Sequence, residues 1–261
     1  MLAWIGATAL PVLVGLALVA KFGRLVNPRY LVAFSLGIFL WYFIDTVSGS
    51  ADLDVNAGFG GGAAQVAQVV LFAAGLLVFL AVDRGVFGAM GEGAGSGFMI
   101  AAFAAIALGV HGFGEGTAYG ATAASTSSTS LWGPQGAFGG ISAGLSYVMH
   151  KVLEPMMVGS LYVAYTASRG RTPVGLARDV GVLALLFTLP SVIGAATGYF
   201  IEYDATYFFA LGTGTSVYAV MRLAGPLFQP QTMGGQGETL KAGLALVFGF
   251  MLIYASALFH S

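Results

Sequence analysis

The sequence predicts an all-α membrane protein with eight transmembrane helices. Three observations lead to this prediction: 57% of the 261 residues are hydrophobic, only 8% are charged, and the mean hydropathy is +0.86. A soluble domain carries about 25% charged residues, so these few charges could not cover a globular surface in water. The 40 glycines suit closely packed transmembrane helices. We therefore expect residues 1–261 to form one integral membrane domain in contact with the lipid bilayer.

The composition also excludes cysteine chemistry and argues against a nucleic-acid partner. The chain has no cysteine, so it can form neither disulfides nor thiolate metal sites. Its net charge is −1 at pH 7 and no run of basic residues occurs, so we expect no nucleic-acid partner.

Eight apolar segments match the length of a transmembrane helix, which is about 20 residues. The first has no basic region before it, so we expect a retained span rather than a cleaved signal peptide. The predicted spans are residues 2–20, 30–48, 64–82, 98–119, 141–166, 180–200, 207–227 and 240–259.

The charges at the helix ends and in the loops predict an orientation. With eight spans and the N-terminus outside, all basic residues of the loops and helix ends fall on the inner side: Lys21, Arg24, Arg29, Arg84, Arg169, Arg171, Arg178, Arg222 and Lys241. The outer loops carry only acids: Asp52, Asp54, Glu202 and Asp204. Positive charge accumulates on the cytoplasmic side, so we expect a cell-membrane protein with both termini extracytoplasmic.

Two segments of the chain resemble each other. Residues 10–15 (Leu-Pro-Val-Leu-Val-Gly) are similar to residues 189–194 (Leu-Pro-Ser-Val-Ile-Gly), 179 positions later. A second match, 177 positions apart, has the same spacing in spans two and seven: Ala33, Gly37, Trp41 and Asp45 against Ala210, Gly214, Tyr218 and Arg222. Spans one and six run in opposite directions, so the pattern predicts a 3+2+3 inverted repeat, typical of transporters. The alternative is chance matching among small apolar residues.

Two His-x3-Glu pairs lie in the middle spans: His111 with Glu115 in span four, and His150 with Glu154 in span five. Residues four positions apart share a face of a helix. Ionisable residues at membrane depth are costly and mark functional sites by default. Two facing pairs would supply two nitrogens and at least two oxygens, which suits a divalent transition metal. The alternative is a polar staple between two helices, for which one pair would suffice.

Lys151 follows His150 and points about 100° away around the helix. Its ammonium group would repel a second metal ion, so we expect one metal between spans four and five. Alternatively, Lys151 pairs with Glu115 or Glu154, or extends towards the membrane surface.

Two further residues are candidates for the transport path. Asp45, in the outer part of span two, could gather cations at an entrance or simply face outer water. Gly112 lies beside the first pair, where a glycine lets backbone approach an ion or a neighbouring helix.

The two pairs lie in recognisable motifs. Residues 105–120 contain His111-Gly-Phe-Gly-Glu115-Gly, which resembles the fourth span of the ZIP family of divalent-metal transporters, His-Asn-x-Pro-Glu-Gly. His150-Lys-Val-Leu-Glu154 resembles the fifth span of that family, His-Glu-x-Pro-Glu or His-Lys-x-Pro-Glu. Residues 212–220 and 34–40 are similar to the family's Gly-Thr-x-x-Tyr in span seven and Phe-x-x-Gly-x-Phe-Leu in span two.

The resemblance implies eight spans in a 3+2+3 arrangement, with both termini outside and the metal bound between spans four and five. It implies four primary metal ligands: His111, Glu115, His150 and Glu154. Lys151 matches a position that helps form a second metal site in some members and is Lys in others. The chain departs from the family pattern at three positions: Gly112 replaces Asn or Ser, and Gly114 and Leu153 replace Pro.

The resulting functional prediction is uptake of a divalent metal ion, with Zn²⁺ first and Fe²⁺ or Mn²⁺ next. The metal is the transported substrate, and no cofactor or enzyme activity is expected. The alternative is an intramembrane metal-dependent hydrolase, which would keep three protein ligands and one open position; no His-Glu-x-x-His motif is present. A structural subunit without metal is a third option, and assembly as a homodimer stays open.

Overall fold

The computed structural model describes residues 2–50, 63–90, 96–125, 138, 140–166, 172–201, 205–227 and 236–257. Within these ranges the chain is all-helical and has no strand. The short 3₁₀ turns Gly23–Leu25 and Gly225–Leu227 follow the first and seventh helices. The eight α-helices are α1 Leu2–Phe22, α2 Pro28–Ser50, α3 Ala63–Met90, α4 Ser96–Ser125, α5 Ile141–Thr166, α6 Pro173–Phe200, α7 Ala205–Ala224 and α8 Gln236–Ala257.

The all-α class and the eight helices are confirmed for the described part of the chain. Five of these helices, α1, α3, α4, α6 and α8, are long and apolar enough to span a membrane. In α2 the apolar segment is shorter, Pro28–Ile44. Much of α5 and α7 is buried against other helices. Interior helices contact protein rather than lipid, so their polar residues lower the hydropathy without facing the bilayer.

Several helices extend beyond the predicted spans because hydropathy detects only their apolar part. The clearest case is α6, which begins at Pro173 instead of residue 180. Thr172 caps this helix: its hydroxyl oxygen accepts a hydrogen bond from the backbone N–H of Gly175 at 3.1 Å, and Pro173 occupies the first turn, where its missing N–H costs nothing.

The helices pack in pairs, and α5 runs through the interior. The main pairs are α4 with α6, α2 with α8, α4 with α7, α1 with α5, and α3 with α7. The interior helix also contacts α2, α4 and α8. Leu16, Ile38, Leu108 and Leu161, from four different helices, are fully buried in the shared core. This core places the middle of α5 within reach of four neighbouring helices.

The peripheral helices present apolar side chains outward. Val69 and Leu77 of α3 are exposed, as are Leu244 and Phe248 of α8. Large exposed apolar patches mark protein or membrane interaction surfaces. These faces are therefore consistent with membrane association.

Candidate functional site

Lys151 joins the carboxylates of the two predicted motifs. Its Nζ lies 2.5 Å from Oε2 of Glu115 on α4 and 2.8 Å from Oε2 of Glu154 on α5. The lysine is only 1% exposed, and the Glu154 side chain only 4%. A buried carboxylate without a counter-charge is costly, so one ammonium group stabilises both acids and connects the two helices.

The two contacts of Lys151 differ in geometry. Lys151 donates a hydrogen bond to Glu154. Its contact with Oε2 of Glu115 is the shorter of the two and crosses from α5 to α4. Both carboxylates are therefore held by the same ammonium group.

His150 is held by its δ nitrogen. Nδ1 lies 3.0 Å from the carbonyl oxygen of Ser146, one turn earlier on α5. The hydroxyls of Ser146 and of Ser256 on α8 each lie 3.5 Å from the same nitrogen. Donation from Nδ1–H to a carbonyl leaves the lone pair on Nε2, the form in which an imidazole binds a metal ion.

His111 occupies an aromatic pocket and keeps one unpaired nitrogen. Its Nε2 lies 3.5 Å from Oε1 of Glu115, while its Nδ1 is buried without a hydrogen-bond partner. The ring packs edge-on against Tyr42 of α2, with centroids 4.8 Å apart, and at a tilt against Phe209 of α7, with centroids 5.3 Å apart. Buried polar atoms are nearly always hydrogen-bonded, so this nitrogen calls for a functional explanation.

Helix α7 passes close to the His111 backbone through a run of small and polar residues. A Cβ atom on Gly212 would lie 2.6 Å from the Cα atom of His111, so only glycine fits at this crossing. The hydroxyl of Thr215 donates to the carbonyl of Ala107 on α4 at 2.6 Å. Residues 212–216 therefore fix where α4 sits, and with it His111.

The predicted ligands are only partly assembled. Glu115 and Glu154 meet through Lys151, and each histidine lies one turn before its glutamate. Among the described residues, however, no three His, Asp or Glu side chains are grouped closely enough to hold a metal ion. The four-ligand metal site stays a prediction, and an ammonium group lies between its two carboxylates.

The two other candidate positions have different outcomes. Gly112 is buried against α6, where a Cβ atom would lie 2.2 Å from Oγ of Ser191; its role here is close helix packing. The backbone of Asp45 belongs to α2, but its side chain lies outside the described part of the chain. Six loop charges of the predicted orientation also lie outside it: Asp52, Asp54, Arg169, Arg171, Glu202 and Asp204.

An aromatic cluster covers one end of the site. We use this name for Trp4, Tyr119, Phe138 and Tyr147. Trp4 stacks on Tyr119 at 4.7 Å, and Tyr147 lies 5.1 Å from Phe138 and 6.1 Å from Trp4 between centroids. Nζ of Lys151 lies 5.6 Å from the centroid of the Tyr147 ring. The cluster lies next to the site at the end of the bundle where α1 begins and α4 ends, and the Glu115 side chain is still 23% exposed there.

Charged residues link α3 and α7 at the opposite end. Asp83 accepts hydrogen bonds from the Tyr218 hydroxyl at 2.7 Å and from Nε of Arg222 at 3.0 Å. The hydroxyl of Tyr165 donates to the backbone carbonyl of Arg222. Tyr165 lies 18 residues beyond Tyr147 on α5, or about 27 Å along the helix, so this network is far from the aromatic cluster.

The prediction from the sequence did not include four residues that shape the site: Tyr42, Ser146, Tyr147 and Ser256. Ser146 lies four positions before His150, so helical spacing could have identified it. Tyr147 stands in the same relation to Lys151. Tyr42 and Ser256 lie on other helices, and no spacing within α5 points to them.

No protein-family model matches the chain, and no curated protein matches it significantly. The proposal below therefore depends on the geometry and on the resemblance of the two motifs.

Proposed function

We propose that this protein is a cell-membrane permease for divalent transition-metal ions, with Zn²⁺ as the first candidate substrate and Fe²⁺ or Mn²⁺ next. The proposal depends on one observation. Two carboxylates from different helices, each one turn after a histidine, lie together in the core and share a single positive charge on Lys151. A permanently structural ion pair would need one carboxylate for one ammonium, whereas this site carries an excess negative charge.

The donor chemistry suits a transition-metal cation. His150 carries its lone pair on Nε2, His111 keeps an unpaired nitrogen, and Glu115 and Glu154 supply two carboxylates. Two neutral imidazoles and two carboxylates bind M²⁺ as a neutral complex, which lowers the cost of holding the ion away from water. Sulfur is absent from this set, which leaves Fe²⁺ and Mn²⁺ as substrates alongside Zn²⁺.

Metal binding in this scheme displaces the Lys151 ammonium. The lysine side chain has a flexible four-carbon stem, and the Tyr147 ring, 5.6 Å from Nζ, offers a cation–π position next to the site. The lysine thus offsets one of the two negative charges when the site is empty and gives way when a divalent ion arrives. In the loaded form the metal ion neutralises both carboxylates, and the displaced ammonium lies against the Tyr147 ring.

The packing of α1 and α6 supports an inverted repeat. A Cβ atom on Gly15 of α1 would lie 2.0 Å from the carbonyl oxygen of Val152 on α5. A Cβ atom on Gly194 of α6 would lie 2.2 Å from the carbonyl oxygen of Phe113 on α4. The glycines are 179 positions apart, as in the sequence repeat, and the carbonyls are 39 positions apart.

The same correspondence extends to the outer helix pairs. Gly37 of α2 meets the carbonyl oxygen of Leu246 on α8, and Gly214 of α7 meets that of Phe72 on α3. The two glycines are 177 positions apart in the sequence, and the two carbonyl residues are 174 positions apart. Equivalent close contacts at equivalent positions are what two repeats of one fold would produce.

The repeat relates the two motifs of the site. His111 and His150 are 39 positions apart, as are Glu115 and Glu154, which is the offset of Phe113 and Val152. Lys151 then corresponds to Gly112, so only one of the two motifs carries a charge between its His and its Glu. In our proposal the substrate lies at the repeat interface, and movement of one part against the other opens it inward.

Zn²⁺ uptake into proteoliposomes tests the proposal. We expect saturable uptake with wild-type protein and its loss in His150→Ala/Glu154→Ala. Glu154→Gln keeps the side-chain volume and isolates the charge, and Lys241→Gln at the exposed start of α8 is the matched control that keeps uptake. Competition with Fe²⁺ and Mn²⁺ then measures selectivity. If wild-type protein shows no uptake yet retains a metal ion through purification, transport is wrong and the intramembrane hydrolase becomes the leading function.

A further inference from the structure

A lateral groove lies between α1 and α6, away from the His–Glu site. Its volume is about 570 Å³, within the range of small-molecule sites. Both helices line it at helical spacing, one with Leu13, Ala17, Ala20 and Lys21, the other with Pro173, Leu176, Ala177, Val180 and Gly181. On each helix the first and last lining residues are eight positions apart, so the groove is about 12 Å long.

Small residues create this groove. Ala17, Ala20, Ala177 and Gly181 stand where larger side chains would close the gap. A Cβ atom added to Gly181 would meet no atom within 4 Å. The space therefore results from missing side-chain volume rather than from a poor fit of the two helices. Its walls are apolar along their length, as an acyl chain requires.

Positive charge is concentrated at one end of the groove. Lys21 is its only charged lining residue, and among the described residues it forms no ion pair; its ammonium lies 5.4 Å from the ring of Phe22. The N-terminus of α6, whose first residue Pro173 lines the groove, adds the positive end of a 28-residue helix. Arg178, next to Ala177, is 74% exposed but pairs with Asp179 at 3.5 Å, so Lys21 is the cation that we assign to the groove.

We propose that this groove binds one anionic phospholipid, with an acyl chain along the apolar walls and the phosphate at Lys21. Basic pockets between helices on the cytoplasmic side recognise anionic headgroups, and the predicted orientation puts Lys21 on that side. Charge and shape both fit this occupant: a phosphate for the cationic end and a hydrocarbon chain for the neutral walls. The inference depends on the membrane location and is independent of metal transport.

Native mass spectrometry of the full chain in detergent tests the site with two probes, palmitoyl-oleoyl phosphatidylglycerol and palmitoyl-oleoyl phosphatidylcholine. We expect wild-type protein to retain one phosphatidylglycerol in preference to phosphatidylcholine. Lys21→Gln should weaken retention about fivefold, the contribution of one basic residue near an anionic surface, and Lys21→Arg should restore it. Gly181→Leu should abolish retention by filling the groove.

Two matched controls isolate the groove. Gly243→Leu adds the same bulk to α8 at a position that also has no atom within 4 Å, and Arg84→Gln removes an exposed basic residue of α3; both should bind like wild type. Equal retention of the two lipids, or no effect of Lys21→Gln, would overturn headgroup recognition. If Gly181→Leu changes the oligomeric state and leaves lipid retention intact, the groove is a self-association surface and the lipid proposal is wrong. Zn²⁺ uptake is not part of the readout, so failure here leaves the transport proposal standing.

Discussion

Nζ of Lys151 lies 2.5 Å from Oε2 of Glu115, and this ion pair crosses from α5 to α4 in the core of the bundle. The same ammonium group holds Glu154 on its own helix. A tethered cation therefore occupies the position where two motif carboxylates converge. This contact determines both how the empty site is stabilised and what a metal ion must displace.

Replacing Lys151 should destabilise the metal-free protein and increase the stabilisation that Zn²⁺ provides. Breaking a buried ion pair costs about 3–5 kcal/mol because the partner stays buried and charged. We expect Lys151→Met to lower the midpoint of thermal unfolding in detergent. Saturating Zn²⁺ should restore stability, by about 2.7 kcal/mol at 100 times the Kd.

Lys241→Gln is the matched control for that experiment. Lys241 forms an exposed pair with Glu238 at 2.9 Å, and such pairs contribute about 0–1 kcal/mol. The midpoint of thermal unfolding of Lys241→Gln should stay near that of wild type. If one shared Zn²⁺ concentration stabilises Lys151→Met no more than it stabilises wild type, the lysine does not compete with the metal ion.

Alanine at Gly15 and at Gly194 should destabilise the protein to similar extents. In each case the added methyl group would meet a backbone carbonyl closer than 2.5 Å, and overpacking typically costs about 1–3 kcal/mol. Gly243→Ala and Gly85→Ala meet no atom within 4 Å and should be neutral or slightly stabilising, since Ala favours helix over Gly. Thermal unfolding of the four variants checks this. A large loss of stability from alanine at only one of these two glycines would argue against equivalent repeats.

Opening the aromatic cluster should expose the site. The chain has no cysteine, so a single Glu115→Cys reports access to a water-soluble thiol reagent. Adding Trp4→Leu removes the ring stacked on Tyr119, one turn beyond residue 115, and should accelerate labelling. Trp41→Leu, which removes a ring packed on Tyr254 of α8, is the matched control. Equal rates in the two backgrounds would show that the cluster does not limit access.

Labelling of single cysteines also tests the predicted orientation. Ser125 ends α4 and is exposed, and Val174, at the start of α6, is 81% exposed. In intact cells a membrane-impermeant maleimide should label Ser125→Cys directly. Val174→Cys should react only after permeabilisation. The reverse pattern would place both termini in the cytoplasm and contradict uptake from the acidic side.

The sequence predicted the elements of this fold better than its contacts. Apolar segment length located the eight helices, because a continuous apolar run is a local property. It could not find the start of α6 at Pro173, where a cap from Thr172 extends the helix past its apolar part. Spacing placed His150 and Glu154 on one face, and the same spacing would have added Ser146.

By itself, the sequence determined the all-α class, the eight helices of the described residues and the presence of two His-x3-Glu pairs. The tertiary structure decided that Lys151 bridges Glu115 and Glu154, that Gly112 packs on Ser191, and that Ser256 and Tyr42 reach the histidines. The reason is physical. Periodicity specifies which face of a helix a residue occupies. Its partner on another helix depends on the distance between the two helices and on their relative shift along the axis. In this protein, glycines at the helix crossings set that distance and that shift.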